Sequence, residues 1–278
     1  MPTTVTARPA LLRALGRAEP PNGVSVEGAD YRLVEVFKHD SWAATARYAR
    51  GRHEIVCKFN RQQRILGVPM RWLGHALARR EAEALHRLAG VAGIPRGCGP
   101  VSAGGRPLPN AVAHDYIDGH PLASHEQVGR EFFSKLKALL QQVHDRGIAY
   151  VDLHKRENIL VGRDGRPWLI DFQVCYGYWR THHANGLMQQ FLMRHLQELD
   201  LYHLAKHVLR HRPQQLQELE LMEYRDPPQW IHGHRRVTVP LRTLRRRLLM
   251  QLRVRGLGGK AASEAFPEDA VRREKLAA

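Results

Sequence analysis

The stretch AYVDLHKRENILVGRDGRPWLIDFQ, residues 149–173, contains two short apolar segments separated by a turn. The segments ILVG and RPWLI are typical of strands, and the RDG between them favours a hairpin. Asn158 directly precedes the first strand and Asp171 directly follows the second, so antiparallel pairing places them side by side. Asp152 lies on the loop just upstream. The hairpin therefore gathers three oxygen-bearing side chains at one end.

These three side chains suit phosphoryl transfer. Mg²⁺ prefers oxygen ligands and takes few of them from protein, leaving the others to water and phosphate. Asn158 and Asp171 meet that demand, and Asp152 is placed to orient or accept the proton of an attacking hydroxyl. The alternative is that all three are ordinary loop and turn residues, which their enforced proximity disfavours.

The sequence around these residues resembles the protein kinase-like superfamily. VDLHKRENIL is similar to its catalytic loop, and LIDFQ is similar to its metal-binding Asp-Phe-Gly motif. EIVCKF resembles the strand that presents the phosphate-binding lysine, here Lys58, and REAEALHRL resembles the helix that carries its acidic partner, here Glu81. DYIDGHPL resembles the hinge where backbone groups, here those of Asp115 and Ile117, meet adenine. The resemblance extends from residue 31 to about residue 211.

The resemblance implies ATP and Mg²⁺ as cofactors and a role for each matched residue. Lys58 would hold the α- and β-phosphates and would itself be held by Glu81. Asn158 and Asp171 would bind Mg²⁺. Asp152 would orient the acceptor hydroxyl.

The chain departs from the family pattern at two loops. KHDSWAATA replaces the glycine-rich loop, so Ser41 and the backbone amides after it are the groups expected to cover phosphate. The interval from Asp152 to Asn158 is one residue longer than usual, so the loop must bulge or reach Asn158 differently. Within it, Lys155 is either a catalytic group that neutralises the transferred phosphoryl or an exposed lysine.

Two further departures indicate the branch of the superfamily. Tyr150 and Val151 stand where many protein kinases have His-Arg, and no segment ending in Ala-Pro-Glu follows Phe172. The sequence therefore resembles the atypical branches, namely RIO-like kinases and bacterial lipopolysaccharide core sugar kinases. The implied function is transfer of the γ-phosphoryl group of ATP to a hydroxyl of a lipopolysaccharide core sugar or glycolipid. A RIO-like serine/threonine protein kinase and a nucleotide-binding pseudokinase scaffold are the alternatives.

Periodicity and chain breakers place the elements around these motifs. Strands are predicted at 31–37 and within 45–60, and helices at 74–90, at 188–211 and from a cap at Ser124 to Gly147. The implied fold is α+β and two-lobed, with a small β-rich N-lobe and a mainly helical C-lobe. The predicted divisions are a flexible leader at 1–28, the N-lobe at 29–118, the C-lobe at 119–230 and a basic helix and tail at 231–278.

Composition bounds the partners and the compartment. The 278 residues carry a net charge of +16, which attracts polyanions such as nucleotides and anionic lipids. The three cysteines, an odd number at wide spacing, indicate a reducing compartment, and the predicted location is cytoplasmic. Nucleic acid is disfavoured as a partner because the aromatic and basic residues do not interleave as RNA-binding surfaces require.

Residues 239–256 carry leucines along one helical side and arginines mainly elsewhere. Such a basic amphipathic helix suits an anionic membrane surface, which would place the protein at the inner face of the cytoplasmic membrane. The alternative is a helix packed on the C-lobe with its arginines in solvent.

Two features of the helix predicted at 188–211 are open to more than one interpretation. His203, His207 and His211 recur every four residues on one face, but zinc binding is disfavoured because no Cys or acid completes the set. Asp200 resembles the helix aspartate that anchors the catalytic loop of kinases, or it is a solvated helix acid.

Overall fold

In a computed structural model of the chain, the residues described are 10, 13–65, 67–177 and 186–228. The chain divides into two compact units. The first unit consists of Met1–Gly90 and Ile94–Ile117, and the second consists of Val91–Gly93 and Asp118–Ala278. The predicted membrane-binding segment 239–256 and the rest of the basic tail lie outside the described residues.

The first unit is built on one antiparallel sheet. Its strands are β1 (Gly23–Val26), β2 (Ala29–His39), β3 (Ala43–Arg50), β4 (His53–Asn60), β5 (Val101–Ala103), β6 (Arg106–Pro107) and β7 (Ala111–Asp115). They pair in the order β6-β5-β1-β2-β3-β4-β7. Ala44, Ala46 and Tyr48 of β3 are all fully buried, at the two-residue spacing of a strand with one face on a core. This face of the sheet carries the hydrophobic core of the unit.

Helix α1 (Arg71–Arg87) packs on β4 and β7. Its buried residues include Ala78, Glu81 and Leu85, which recur at helical spacing. Because the helix covers the face of β4 that the core does not, β4 is buried continuously from Ile55 to Asn60. The strand that carries Lys58 and the helix that carries Glu81 are thereby in contact.

Gly74 allows α1 to approach the end of β4. A Cβ at Gly74 would clash with the backbone carbonyl of Arg61, a fixed group that cannot rotate away. Arg61 is itself buried, and its guanidinium donates to the carbonyls of Ser41, Gln63 and Arg64. The position of α1, and hence of Glu81, therefore depends on a glycine at residue 74.

We expect Gly74→Ala to lower the free energy of unfolding by about 1–3 kcal/mol, because the overpacking exceeds the gain in helix propensity. Urea unfolding would measure the change. Gly129→Ala is the matched control, since a Cβ at Gly129 meets nothing within 4 Å. Equal stability of the two variants would contradict the close approach described here.

The predicted flexible leader at 1–28 is wrong for residues 13–28. Ala14 is fully buried; its N–H donates to the carbonyl of Asp40 at 2.7 Å, and its carbonyl accepts from the amides of Gln62 and Gln63. The strand β1 pairs with both β2 and β5. The polar, proline-containing sequence shows no periodic pattern, so only these long-range backbone bonds reveal that the segment belongs to the sheet.

The second unit is mainly helical. Its elements are β8 (Gly119–Pro121), α2 (Phe132–Asp145), β9 (Ile148–Ala149), β10 (Ile159–Gly162), β11 (Pro167–Leu169), β12 (Tyr176–Gly177), α3 (Leu187–His211) and α4 (Gln215–Glu218). The strands β10 and β11 form the predicted hairpin, with Ile159 opposite Leu169. The strand β8 pairs with the other edge of β10, and β9 pairs with β12.

The helix predicted from a cap at Ser124 begins instead at Phe132. The carbonyls of Glu126 and Val128 accept hydrogen bonds from His211 at 3.1 Å and Arg212 at 3.0 Å. These long-range donors satisfy the backbone before α2, so the local capping signal at Ser124 is overridden. The apolar side of α2 is buried, and it consists of Phe132, Phe133, Leu136, Leu139, Leu140 and Val143.

The predicted fold class is confirmed. The chain is α+β, with a β-rich first unit and a mainly helical second unit. Within the part of the chain that the structure describes, every helix is too short or too polar to span a bilayer.

Candidate active site

The hairpin β10–β11 brings Asn158 and Asp171 together. Its ladder is extended by one bond beyond the strands, in which the N–H of Ile170 donates to the carbonyl of Asn158 at 3.1 Å. Asp171 is the residue after Ile170, so it lies beside Asn158 at the open end of the hairpin. The turn that closes the other end is the predicted RDG, where the amide of Gly165 donates to the carbonyl of Gly162.

The loop from Asp152 to Asn158 folds into two consecutive tight turns. The amide of Lys155 donates to the carbonyl of Asp152 at 3.2 Å, and the amide of Asn158 donates to the carbonyl of Lys155 at 3.1 Å. The second turn is a 3₁₀ helix at Arg156–Asn158. The second turn brings Asn158 back to Asp152, and Asn158 Nδ2 donates to Asp152 Oδ2 at 3.0 Å.

Asp152 is buried, and each of its carboxylate oxygens has a nitrogen neighbour. Lys155 Nζ lies 2.7 Å from Oδ2, where it joins Asn158, and His154 Nδ1 lies 3.3 Å from Oδ1. Burial works against a charged lysine, but the hydrogen bond and charge of Asp152, with the charge of Asp171, raise the pKa of Lys155. Lys155 therefore stays cationic beside the carboxylate.

The backbone before Asp152 is strained and is held by Asp200. Val151, a β-branched residue, has φ 69°, in the left-handed region that such residues avoid. The carboxylate of Asp200 accepts the amides of Tyr150 and Val151, each at 2.7 Å, and Nε2 of His144 at 3.0 Å. Of the two interpretations of Asp200, the structure shows the loop anchor, because the residue is fully buried. Burial raises the pKa of Asp200, although these three donors act in the opposite direction.

Tyr150 connects the catalytic loop to Asp171. Its hydroxyl donates to the carbonyl of Ile170, whose amide is already bonded to Asn158, so both groups of Ile170 are fixed. Burial and the charges of Asp171 and Asp152 raise the pKa of Tyr150 well above its usual value, so the hydroxyl remains a donor. Asp171 follows with φ 62°, again in the left-handed region.

The first unit contributes a buried ion pair. Lys58 Nζ lies 3.1 Å from Glu81 Oε2, and both residues are almost fully buried. The neighbouring Glu83 lies on the same helix but is only half-buried. Removing one partner of a buried pair leaves the other charge uncompensated, so the two side chains fix each other.

The residues predicted to contact adenine and phosphate also lie in the first unit. Asp115 ends β7, and its amide and carbonyl already bond to the carbonyl of Arg96 at 2.9 Å and to Nδ1 of His114 at 2.8 Å. Ile117 is the last residue of the unit. Ser41 lies in the turn between β2 and β3.

The turn at Ser41 differs from a phosphate-binding loop in one respect. The amides of Trp42 and Ala43, which follow Ser41, donate to the carboxylate of Asp40 at 2.7 and 2.9 Å. An acidic side chain thus occupies the backbone donors that were expected to cover phosphate. The predicted contact of these amides with phosphate requires Asp40 to move aside.

Asn158 and Asp171 fit a Mg²⁺ ion. The amide nitrogen of Asn158 donates to Asp152, which leaves the amide oxygen as the atom available to a cation. An amide oxygen and a carboxylate are the hard ligands that Mg²⁺ takes from proteins. The pair would hold the ion, and the chemistry it would supply is neutralisation of phosphate charge.

The histidine stripe of α3 makes contacts within the second unit. His207 Nε2 donates to the carbonyl of Leu153 at 2.7 Å, and His211 Nδ1 donates to the carbonyl of Glu126. The ring of His203 lies 5.5 Å from that of His154. Within the described ranges, no group of three or more His, Cys, Asp or Glu is arranged to hold a metal. The sequence did not point to His144 as the partner of Asp200, because the two residues are 56 positions apart and only tertiary contact brings them together.

Comparison with known proteins finds similarity to kinases. No protein-family model matches the chain. The serine/threonine-protein kinase Warts of Drosophila melanogaster is 33% identical over 78 residues, which is 25% of this chain and 7% of that protein. The serine/threonine-protein kinase LATS1 of Homo sapiens is 34% identical over 76 residues, 24% of this chain and 7% of that protein. The chain therefore spans only a small part of the length of these curated relatives.

Among solved structures, the Rio2 kinase from Chaetomium thermophilum is similar with a TM-score of 0.47 and 14% sequence identity. The match covers 64% of this chain and 57% of that one. The lipopolysaccharide-kinase branch suggested by the sequence stays a prediction.

We expect His207 to make the protein less stable in acid. Burial lowers the pKa of His207 from 6.5 to about 4, helped by the charges of His211, Arg210 and Lys206, although the bond to Leu153 opposes the shift. The unfolded chain therefore binds the proton first, and stability present above pH 6.5 falls as the pH drops toward about 4. The loss from this group is at most about 3 kcal/mol.

Urea unfolding of the wild type and of His207→Gln between pH 7.5 and pH 4 would measure this loss. Glutamine has no titrating group, so the unfolding free energy of the wild type should fall by roughly 2–3 kcal/mol relative to that of His207→Gln as the pH drops to 4. Parallel pH profiles would contradict the assignment of a neutral, buried His207.

Proposed function

We propose that this chain is a phosphotransferase of kinase-like fold that transfers the γ-phosphoryl group of ATP to a hydroxyl. The observation that supports this most is the bond between Asn158 and Asp152, with Asp171 next to Ile170, the hydrogen-bonding partner of Asn158. One carboxylate is placed to orient an acceptor, and two further side chains offer oxygen ligands. Phosphoryl transfer needs this combination of positioning and charge stabilisation.

In the proposed mechanism, each unit of the chain contributes charged groups. Lys58, fixed by Glu81, binds the α- and β-phosphates as a cation. Asn158 and Asp171 hold Mg²⁺. Asp152 orients the acceptor hydroxyl and takes its proton as the acceptor oxygen bonds to the γ-phosphorus, while the bond from that phosphorus to the β-phosphate oxygen breaks and ADP leaves. The backbone of Ile117 is the proposed contact for adenine.

Lys155 stabilises the transferred group in this proposal. Its ammonium lies 2.7 Å from the carboxylate of Asp152 and so stands next to the place where an acceptor hydroxyl is oriented. A cation there offsets the negative charge that develops on the phosphoryl oxygens. Its raised pKa keeps that charge present at neutral pH.

We propose a sugar hydroxyl of lipopolysaccharide core, or of a related glycolipid, as the acceptor. The net charge of +16 favours an acceptor that carries negative charge or lies on an anionic surface. Residues 239–256 are the proposed membrane contact at the inner face of the cytoplasmic membrane, on the basis of their sequence.

Two other functions each have an observation in their favour. The local identity with Warts and LATS1, both named serine/threonine-protein kinases, favours a protein serine or threonine as the acceptor. The capture of the Trp42 and Ala43 amides by Asp40 favours a pseudokinase scaffold, because it leaves fewer donors for phosphate.

Transfer from γ-labelled ATP, with Mg²⁺ and with or without lipopolysaccharide extract, tests the proposal. We expect Asp152→Asn to lower the rate at least about 100-fold, because the amide cannot accept the proton. Asp145→Asn is the matched control, since Asp145 is an exposed carboxylate of the same unit, at the end of α2.

Thermal unfolding of both variants would separate lost chemistry from lost folding. Nucleotide binding without transfer to any acceptor would overturn the proposed enzyme activity and would favour the pseudokinase scaffold. Label found on protein side chains, but not on the extract, would replace the sugar with a protein acceptor. Equal rates for Asp152→Asn and the wild type would remove Asp152 from the reaction.

A further inference from the structure

Helix α3 bonds to the catalytic loop at two places, on either side of Asp152. Asp200 accepts the amides of Tyr150 and Val151, which precede Asp152. His207, two turns further along the helix, donates from Nε2 to the carbonyl of Leu153, which follows Asp152. The residue proposed to orient the acceptor is thus held between two hydrogen-bonding groups of a single helix.

The bond from His207 is well defined. A carbonyl only accepts, so the ring must carry its proton on Nε2, and the distance to the oxygen is 2.7 Å. Leu153 is fully buried and His207 is 6% exposed, so water does not readily replace the ring as a donor. Leaving a buried carbonyl unsatisfied would cost about 1–3 kcal/mol.

The loop needs both anchors because its backbone is strained. The left-handed conformation of Val151 costs of order 1–3 kcal/mol and persists only where the surrounding structure over-determines it. If the carbonyl of Leu153 were released, the chain after Asp152 could rotate to relieve that strain. The carboxylate of Asp152 would then lose its place beside Asn158 and Lys155.

We propose that His207 is a positioning residue, which acts through the carbonyl of Leu153 to fix the orientation of Asp152. This role rests on the proposed phosphotransferase function for its kinetic consequence. The structural part, that His207 orders residues 151–154, does not depend on any activity. The sequence offered the histidine stripe only as a disfavoured zinc site, and this role accounts for its central member.

Three substitutions separate the reach of the side chain from its chemistry. His207→Gln places an amide donor near the position of Nε2 and should keep the bond. His207→Asn carries the same amide but is too short to reach Leu153, and His207→Leu has no donor. His211→Leu is the matched control, because His211 also donates to a backbone carbonyl from α3 but bonds to Glu126, outside the loop.

Hydrogen exchange and steady-state kinetics of these variants test the role. We expect His207→Leu and His207→Asn to speed exchange of the amides at 151–154 about tenfold. We also expect a fall in kcat of about tenfold or more, with the KM for ATP within about twofold of wild type. His207→Gln should recover most of both, and His211→Leu should resemble the wild type.

Each other outcome counts against the role. Equal effects of His207→Leu and His211→Leu would indicate general packing, and so would failure of His207→Gln to differ from His207→Asn. If the Leu variant does not fold, the Gln and Asn pair still decides the matter. If the wild type transfers no phosphoryl group, the proposed function fails, and the exchange rates alone decide whether His207 orders the loop.

Discussion

The loop that carries Asp152 depends on one buried carboxylate, that of Asp200. A carboxylate removed from water is costly unless donors surround it, and here two backbone amides and one imidazole do so. Because two of those donors are the amides of Tyr150 and Val151, the carboxylate also sets the backbone before Asp152. The loop that follows is short enough that two tight turns and the hairpin then carry the chain to Asn158 and Asp171.

The described residues of this basic chain bury few acids, and each buried acid has a cationic or ionisable partner. Glu81 pairs with Lys58, and Asp152 with Lys155 and His154. Asp200 pairs with His144. An acid on the surface of so positive a protein has many possible cationic neighbours. Each of these buried carboxylates instead has defined partners that fix its position. The same charge excess would attract the polyanionic nucleotide that the proposed chemistry requires.

The sequence predicts most of the fold wherever a local signal agrees with the tertiary contacts. The RDG turn and its apolar flanks specify β10 and β11, and the leucines and phenylalanines of α2 specify its buried side. The local sequence signal fails where hydrogen bonds from distant residues determine the backbone conformation. His211 and Arg212 bind the carbonyls before α2, so Ser124 does not cap it, and the backbone of Ala14 ties the supposed leader to the turn at Asp40. Likewise, the longer interval from Asp152 to Asn158 predicted either a bulge or a different route to Asn158. Only the hydrogen bond from Asn158 to Asp152 identifies the bulge.

The proposed chemistry requires that Asn158 and Asp171 hold a metal ion that serves a bound nucleotide. Calorimetric titration of ATP with Mg²⁺, and again with a chelator, tests it on the wild type, on Asp171→Asn and on Asp164→Asn, an exposed carboxylate of the same hairpin. We expect chelation to weaken ATP binding at least about tenfold in the wild type and in Asp164→Asn, and we expect ATP binding by Asp171→Asn to depend little on the metal. Equal affinity with and without Mg²⁺ in the wild type would contradict it.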